Sequence, residues 1–252
     1  MSGRRLAKAF RAMLISEARL AWRQPFGLVY GLGFPLLLLI VFSSIPSFRK
    51  PNADLGGDTY LSVYIPILMV FSLAMVSMIG LTTPLAAYRE QGVLRRLSTT
   101  PARPTLVLAA QSLINLTIAF VALVLIALIS GMAFGARAPQ KIPGFILSIV
   151  LIALALSAIG LWVAAIAPNA QVAGGIGSAL FFPMMFFAGL WIPRNVMPVV
   201  LRHVSDFTPL GAGVQAMQTA VQGAFPPARA LLVLIVYAAV AGAAAIRQFK
   251  WE

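Results

Sequence analysis

Long intervals without a single charged side chain constrain this sequence more than any other feature. No charged side chain occurs in residues 24–48, 59–88, 104–136, 142–193 or 230–246. A helix crosses the ~30 Å hydrocarbon core of a bilayer with about 20 apolar residues, because each residue rises about 1.5 Å. The chain has 252 residues, of which 60% are hydrophobic and 10% are charged. One soluble globule of that size could not bury so much apolar surface. The sequence therefore predicts an all-α, multi-pass membrane protein.

The number and bounds of the spans follow from the turns within these intervals. The interval after Lys141 is too long for one helix, and it divides at Pro168-Asn169, because proline disfavours helix in the residue before it. We expect six spans, at about residues 26–45, 60–81, 105–134, 142–167, 172–192 and 230–246. Residues 1–252 then form one transmembrane domain.

The basic residues predict the orientation of the spans. If both termini are cytoplasmic, most of the 19 Lys and Arg fall in the inner segments, as the positive-inside rule requires. We interpret residues 1–25 as a basic amphipathic helix on the inner leaflet, with a solvated basic tail as the alternative. The net charge of +13 is then a topology marker. It does not indicate nucleic-acid binding, because the basic residues are dispersed along loop edges.

Residues 193–228 are predicted to lie outside, between the last two spans. The stretch 207–228 is also free of charge, and a seventh span there would reverse the C-terminus. Its glycines and prolines argue against an uninterrupted crossing. Gln215, Gln218 and Gln222 lie at i, i+3 and i+7, on one helical face. We therefore expect an interfacial or re-entrant helical hairpin here.

The cytoplasmic segment 86–101, between the second and third spans, is the most informative stretch. Leu94 and Leu97 share one side of a short predicted helix, which Arg95 and Arg96 flank. Gly92 gives the backbone freedom near the start of this helix, and Pro101 helps to end it. The segment is either a docking element for a cytosolic partner or a connector whose arginines follow the inside bias.

A few polar and aromatic residues inside the spans are candidates for a substrate pathway. Gln111 and Asn115 lie at i and i+4, and their amides either bind another helix or line a cavity. Phe181, Phe182 and Phe186 either offer an aromatic surface to cargo or contact lipid and neighbouring helices. His203 and Asp206 lie three apart in the outer hairpin, which we interpret as an exposed contact and not as a proton relay.

Several function classes lack the residues that they need. The chain has no cysteine and one histidine, so we expect no thiol nucleophile and no metal site. We expect no catalytic residues, because the serines in the spans have no base near them in their own span. The sequence contains no Gly-x-x-x-x-Gly-Lys-Ser/Thr phosphate loop. Transporters that are driven by an ion gradient usually have ionisable residues inside their spans, and the six predicted spans have none.

Two motifs resemble those of the type-2 ABC exporter permeases, a family that includes daunorubicin-resistance and polysaccharide exporters. Its loop signature is Glu-Arg-Glu-x-Gly-Thr-Leu-Glu-x-Leu, followed by Thr-Pro. This chain matches it at Arg89, Glu90, Gly92, Leu94, Leu97, Thr100 and Pro101, and departs from it at Tyr88, Val93 and Arg95. The departures make the segment more basic than the usual pattern.

The second motif begins in the fifth predicted span. Pro183 lies in an aromatic-rich stretch that ends in Gly189 and Pro193, and Met197-Pro198 and Thr208-Pro209-Leu210 follow. Thr208 replaces the usual Asn. In the family this region is an extracellular hairpin that dips into the membrane, so the resemblance implies that Pro193, Pro198 and Pro209 shape it.

The resemblance implies the transmembrane half of an ATP-driven exporter in the bacterial cytoplasmic membrane. Two permease copies, or this chain with a sister permease, would assemble with two ATPase subunits, which would bind ATP and Mg²⁺. The segment from Arg89 to Pro101 would couple the ATPase to the spans. The expected cargo is a hydrophobic or amphipathic drug, antibiotic or lipid-like molecule. The alternatives are a polysaccharide or glycolipid exporter, and an ion-gradient-driven secondary transporter or channel.

Overall fold

The computed structural model describes residues 3–23, 29–52, 57–93, 105–136 and 138–248. Within these ranges the regular elements are helical, and an isolated bridge pairs Pro51 with Thr59. The α-helices are α1 Gly3–Arg23, α2 Phe34–Ser44, α3 Tyr60–Ala74, α4 Thr82–Glu90, α5 Thr105–Phe134, α6 Ile142–Ile166, α7 Ala170–Ala188, α8 Val199–Phe207, α9 Pro209–Val221 and α10 Ala228–Gln248. A π-helical segment, Val29–Gly33, precedes α2, and another, Met75–Gly80, joins α3 to α4. Short 3₁₀ turns lie at Pro46–Arg49 and Arg194–Val196.

Within the described residues, five helical segments are long and apolar enough to cross a membrane. They are Tyr60–Glu90, Leu106–Phe134, Ile142–Ile166, Ala170–Ala188 and Ala228–Gln248. The first predicted span, 26–45, differs from these. Its described helical part is Val29–Ser44, which is apolar but shorter than 18 residues, and residues 26–28 lie outside the described part of the chain. The prediction of six spans is therefore supported by length and composition for five of them.

The second predicted span ends later than the sequence indicates. We expected it to end at Leu81 and a loop to begin at residue 86, whereas the helical segment continues to Glu90. The residues after Leu81 continue as a helix because Leu85 and Ala86 are buried against their neighbours. The first residues of the signature therefore stand at the end of a membrane helix.

Short polar side chains begin several of these helices. Thr59, Asn169 and Thr208 are the N-cap residues of α3, α7 and α9. Each side-chain oxygen accepts a hydrogen bond from the backbone N–H three residues on, at 2.8 to 3.1 Å. Such a bond satisfies one of the N–H groups that a helix start leaves without a partner.

The segment formed by α3 and α4 is the central element of the bundle. In its most apolar stretch 83% of the residues are buried, compared with 22% in α7 and in α10. Ile67, Leu68 and Val70 are fully enclosed. Helices α5, α6 and α7 pack around it, and α10 packs along α6. The helices around the central segment therefore present apolar faces that lipid or another subunit would cover.

The π-helical segment Met75–Gly80 makes close polar contacts with its neighbours. Gly160 of α6 lies against the Ser77 carbonyl oxygen, where a Cβ atom would overlap it. Thr82 donates its hydroxyl to the Met78 carbonyl oxygen at 2.5 Å and to that of Gly160 at 3.2 Å. A π turn leaves backbone groups without their usual helical partners, and side chains re-satisfy them inside a membrane. This π turn was not predicted from the sequence.

The hairpin that the sequence predicts to lie outside, called the outer hairpin below, consists of α8 and α9. Below, outer denotes the end of the bundle at this hairpin, and inner denotes the opposite end. Helix α9 has 13 residues, which gives it a length of roughly 20 Å and makes it too short to span a bilayer. It packs among α3, α6, α7 and α10, and Pro209, Leu210 and Ala212 are buried. The chain between α7 and α10 therefore folds into the outer end of the bundle.

Candidate functional site

The charged pair of the signature holds the turn between α6 and α7. The Arg89 guanidinium donates through Nη1 to the Ala165 carbonyl oxygen, at 2.7 Å. The Glu90 carboxylate accepts a hydrogen bond from the Ala170 backbone N–H, at 3.0 Å. Carbonyl groups at a helix end and N–H groups at a helix start lack partners within their own helix, and their partial charges favour a cation and an anion respectively. Arg89 and Glu90 therefore cap two consecutive helix ends at once.

Gly92 ends the helical segment that carries this pair. Its φ of 67° lies in the left-handed region, which glycine enters without a steric penalty. Its N–H donates to the Arg89 carbonyl oxygen at 3.0 Å. Leu94, Arg95, Arg96, Leu97 and Pro101 lie outside the described residues, so the docking helix stays a prediction.

The N-terminal helix α1 contacts the same region through a buried carboxylate. Glu17 is 8% exposed, and the Tyr88 hydroxyl, one residue before Arg89, donates to its carboxylate with 2.9 Å to each oxygen. Burial raises the pKa of Glu17, and the hydrogen bond from Tyr88 partly opposes that rise. Glu17 was not predicted as a functional residue, because a lone acidic residue in a basic helix forms no recognisable pattern.

An inner cavity of about 550 Å³ lies between α1, the central segment and α5. Both Gln111 and Asn115, the predicted pathway amides, line it and are 8% exposed. The Asn115 amide also donates to the Gly80 carbonyl oxygen at 3.5 Å. The remaining wall is largely apolar, with Glu17 at one side.

The three predicted pathway phenylalanines lie in different surroundings. Phe181 is buried against the Phe71 ring, with 5.5 Å between ring centroids. Phe182 is 63% exposed, on the outside of the bundle. Phe186 is partly buried and meets the Phe187 ring edge-on at 5.6 Å. None of the three lines the inner cavity or the outer one described below.

An ion-pair cluster joins three segments at the outer end of the bundle. Asp206 is 4% exposed and binds Arg194, which follows α7, and Arg229, at the start of α10. Arg194 also donates to the Gly211 carbonyl oxygen. Burial lowers the pKa of Arg194, and the bond to Asp206 opposes that change. The interpretation of Asp206 as an exposed partner of His203 was therefore wrong, because the fold of the hairpin turns Asp206 inward.

The hairpin residues singled out from the sequence also lie at this end. Pro193 precedes the 3₁₀ turn, Pro198 precedes α8, and Pro209 is the first residue of α9. The amide nitrogens of two glutamines have partners: that of Gln218 donates to the Val63 carbonyl oxygen at 3.2 Å and that of Gln222 to Asp58 at 3.4 Å.

An outer cavity of about 570 Å³ lies beside these glutamines. Gln215, Gln218 and Gln222 all line it, together with Arg194. The buried Oε1 of Gln215 has no hydrogen-bond partner among the described residues. The three amides therefore face a common space, as their helical spacing indicates.

The family of the chain follows from a comparison with family models. The model of the ABC-2 type transporter family matches residues 8–221, which include the signature, the central segment and the outer hairpin. The chain belongs to the ABC-2 type transporter family. It is therefore a multi-pass transmembrane permease and has no ATPase activity of its own. ABC permeases generally pair with separate ATPase subunits.

No curated protein matches this ABC-2 permease. In the part of the chain that the structure describes, no group of three or more His, Cys, Asp or Glu side chains could hold a metal ion.

Proposed function

We propose that this permease is the transmembrane subunit of an ATP-driven exporter in the bacterial cytoplasmic membrane. Its cargo is a hydrophobic or amphipathic molecule, such as a drug or a lipid-like compound, which it moves outward. A separate ATPase subunit binds ATP and Mg²⁺ and supplies the energy. Both termini lie in the cytoplasm, and Val29–Ser44 belongs to a sixth span.

The double contact of Arg89 and Glu90 carries this proposal. The two side chains connect the end of the central helical segment to both sides of the α6–α7 turn. A partner that pushes on residues 92–101 would thereby move three membrane helices together, because α4 also packs against α6 and α7. This is the mechanical link that a permease without its own ATPase needs.

The inner cavity supports an amphipathic cargo. Its wall is largely apolar, and Gln111 and Asn115 offer hydrogen bonds within it. In binding sites, apolar walls supply most of the affinity, and a few polar groups set the orientation of the ligand. Transport begins at this cavity and ends at the outer face, where the hairpin lies.

The experiment is transport in proteoliposomes that contain this permease and its co-encoded ATPase. We expect export of a fluorescent amphiphile that requires ATP and is blocked by vanadate. The variants Arg89→Ala and Glu90→Ala should lose about 90% of this transport, a tenfold change on the order of 1.4 kcal/mol. Lys50→Ala, an exposed residue on the outer side, serves as the matched control and should transport normally. Transport driven by an imposed pH gradient without the ATPase would overturn the proposal.

The stoichiometry is a separate part of the proposal. Two copies of the permease, or this chain and a sister permease, assemble with two ATPase subunits. Native mass spectrometry of the purified complex distinguishes these assemblies, because a sister permease adds a mass that differs from 26.9 kDa. A complex with only one permease chain would contradict the proposed pairing.

A further inference from the structure

Glu17 is a buried carboxylate that no cation neutralises among the side chains that the structure describes. The ion pairs within that part of the chain belong to Asp206. The partner of Glu17 is the neutral Tyr88 hydroxyl, which supplies a single proton to the two carboxylate oxygens. A carboxylate accepts about four hydrogen bonds, so most of the acceptor capacity of Glu17 is left for another group.

The inner cavity gives access to this carboxylate. Glu17 lines it, and so do the Gln111 and Asn115 amides and the side chain of Tyr30. Leu20 and Ile118 add apolar wall. A ligand with an apolar body and a cationic end would match this wall, because burial of an isolated charge is costly unless an opposite charge compensates it.

Arg23 also lines the cavity, and its positive charge acts against a cation. It is exposed, however, whereas Glu17 is buried. A cation in the cavity would interact with the Glu17 carboxylate about fourfold more strongly than two charges interact in bulk water, because the effective dielectric constant is lower there. The solvated guanidinium is also screened by salt. The buried carboxylate therefore dominates the electrostatic field inside the cavity.

We propose that the inner cavity binds amphipathic molecules that carry a protonated amine, and that the Glu17 carboxylate receives the ammonium group. This inference rests on the proposed function, since it names the chemical class of the cargo. Tyr88 positions the carboxylate, and the amides of Gln111 and Asn115 bind the polar groups next to the amine. An amphiphile without the amine fits the same space and lacks the charge contact.

The test is binding of two matched fluorescent probes to the permease–ATPase complex in nanodiscs. Dansylcadaverine carries a primary amine, and its N-acetyl derivative is a neutral analogue with the same dansyl group and linker. We expect the amine to bind about tenfold or more tightly than the acetylated probe, because a hydrogen bond to a charged group contributes that much. In Glu17→Gln this preference should fall to about one- to twofold.

Three variants separate recognition from folding. Tyr88→Phe removes the hydroxyl that holds Glu17 and keeps the carboxylate, so the preference for the amine should persist. Glu17→Asp should keep part of it. Asp58→Asn loses the same charge at the other end of the central segment and should bind both probes as the unchanged protein does. If Glu17→Gln and Tyr88→Phe lost the preference for the amine probe equally, Glu17 would have a purely structural role.

The outcomes also separate this inference from the proposed function. Equal affinity for the two probes, or a preference that survives in Glu17→Gln, overturns the inference. If the complex prefers the amine probe but shows no ATP-dependent export, the proposed binding site stands and the proposed exporter function is wrong. A complex that exports neutral amphiphiles without preferring the amine contradicts only the cargo class.

Discussion

Gly160 lies where α6 crosses the central segment, and it has no space for a side chain. A Cβ atom there would overlap the Ser77 carbonyl oxygen, and it would lie 3.2 Å from the Thr82 hydroxyl oxygen. Small residues allow helix backbones to approach closely inside a membrane, where packing replaces the hydrophobic effect as the source of association. The contact between α6 and the π turn therefore depends on the absence of a Cβ atom at Gly160.

We expect Gly160→Ala to lower the free energy of unfolding by ~1–3 kcal/mol, the usual cost of overpacking. The measurement is thermal unfolding of the purified permease in detergent. Gly175→Ala is the matched control, since Gly175 lies in α7 with nothing within 4 Å of the added atom. That control should be neutral or stabilising, because alanine favours helix. Equal unfolding temperatures in the two variants would contradict the close contact.

Asp206 gives a second prediction at this scale. Asp206→Asn leaves the buried Arg194 without its anion, and loss of one partner of a buried pair costs about 3–5 kcal/mol. We expect a large drop in the thermal stability of the permease. His203→Gln, at an exposed position three residues earlier, should change stability by less than about 0.5 kcal/mol. Similar effects of both substitutions would show that Asp206 is not the connecting group.

Among the elements, the end of α4 links the signature to the membrane helices. Its last residues cap α6 and α7, and Gly92 then turns the chain through a left-handed conformation. The direction in which the chain leaves α4 therefore depends on the backbone of a single residue. Any L-amino acid at that position pays about 1–2 kcal/mol for the same conformation.

We expect Gly92→Ala to abolish ATP-dependent transport while membrane insertion stays intact, because the helix would continue past its normal end. Gly57→Ala provides a matched control at the outer side. Its φ is 91°, and neither glycine has an atom of a described residue within 4 Å of the added Cβ. The two variants should unfold at similar temperatures and differ in transport. Normal export by Gly92→Ala would contradict the coupling role of this turn.

The positions of the long helices could be predicted, whereas the contacts between them could not. Charge-free intervals and the Pro168-Asn169 turn place α5, α6, α7 and α10 within a few residues of their observed bounds. The α4 extension was missed because the burial of Leu85 and Ala86 depends on neighbours that are distant in sequence. The contact between Glu17 and Tyr88, which are 71 residues apart, was missed for the same reason. So were the contacts of the two arginines with Asp206. Family resemblance identified Arg89 and Glu90 but not the helix ends that they cap.

For the whole molecule, the arrangement of inner and outer ends can be tested directly. The chain contains no cysteine, so a single introduced cysteine reports one position without background. We expect Gln222→Cys to react with a membrane-impermeant maleimide in intact cells, and Gln91→Cys to react only after lysis. Both side chains are exposed. Labelling of Gln91→Cys in intact cells would invert the proposed orientation.

The two ends of the bundle are held together by different kinds of bonds. Outside, the Asp206 carboxylate ties the end of α7 and the start of α10 to the hairpin. Inside, single hydrogen bonds to backbone atoms connect α4 to the α6–α7 turn. Helices that are fixed firmly at one end and weakly at the other move most at the weakly fixed end. We expect the largest displacements of these helices at the cytoplasmic face, so that the outer hairpin serves as the pivot.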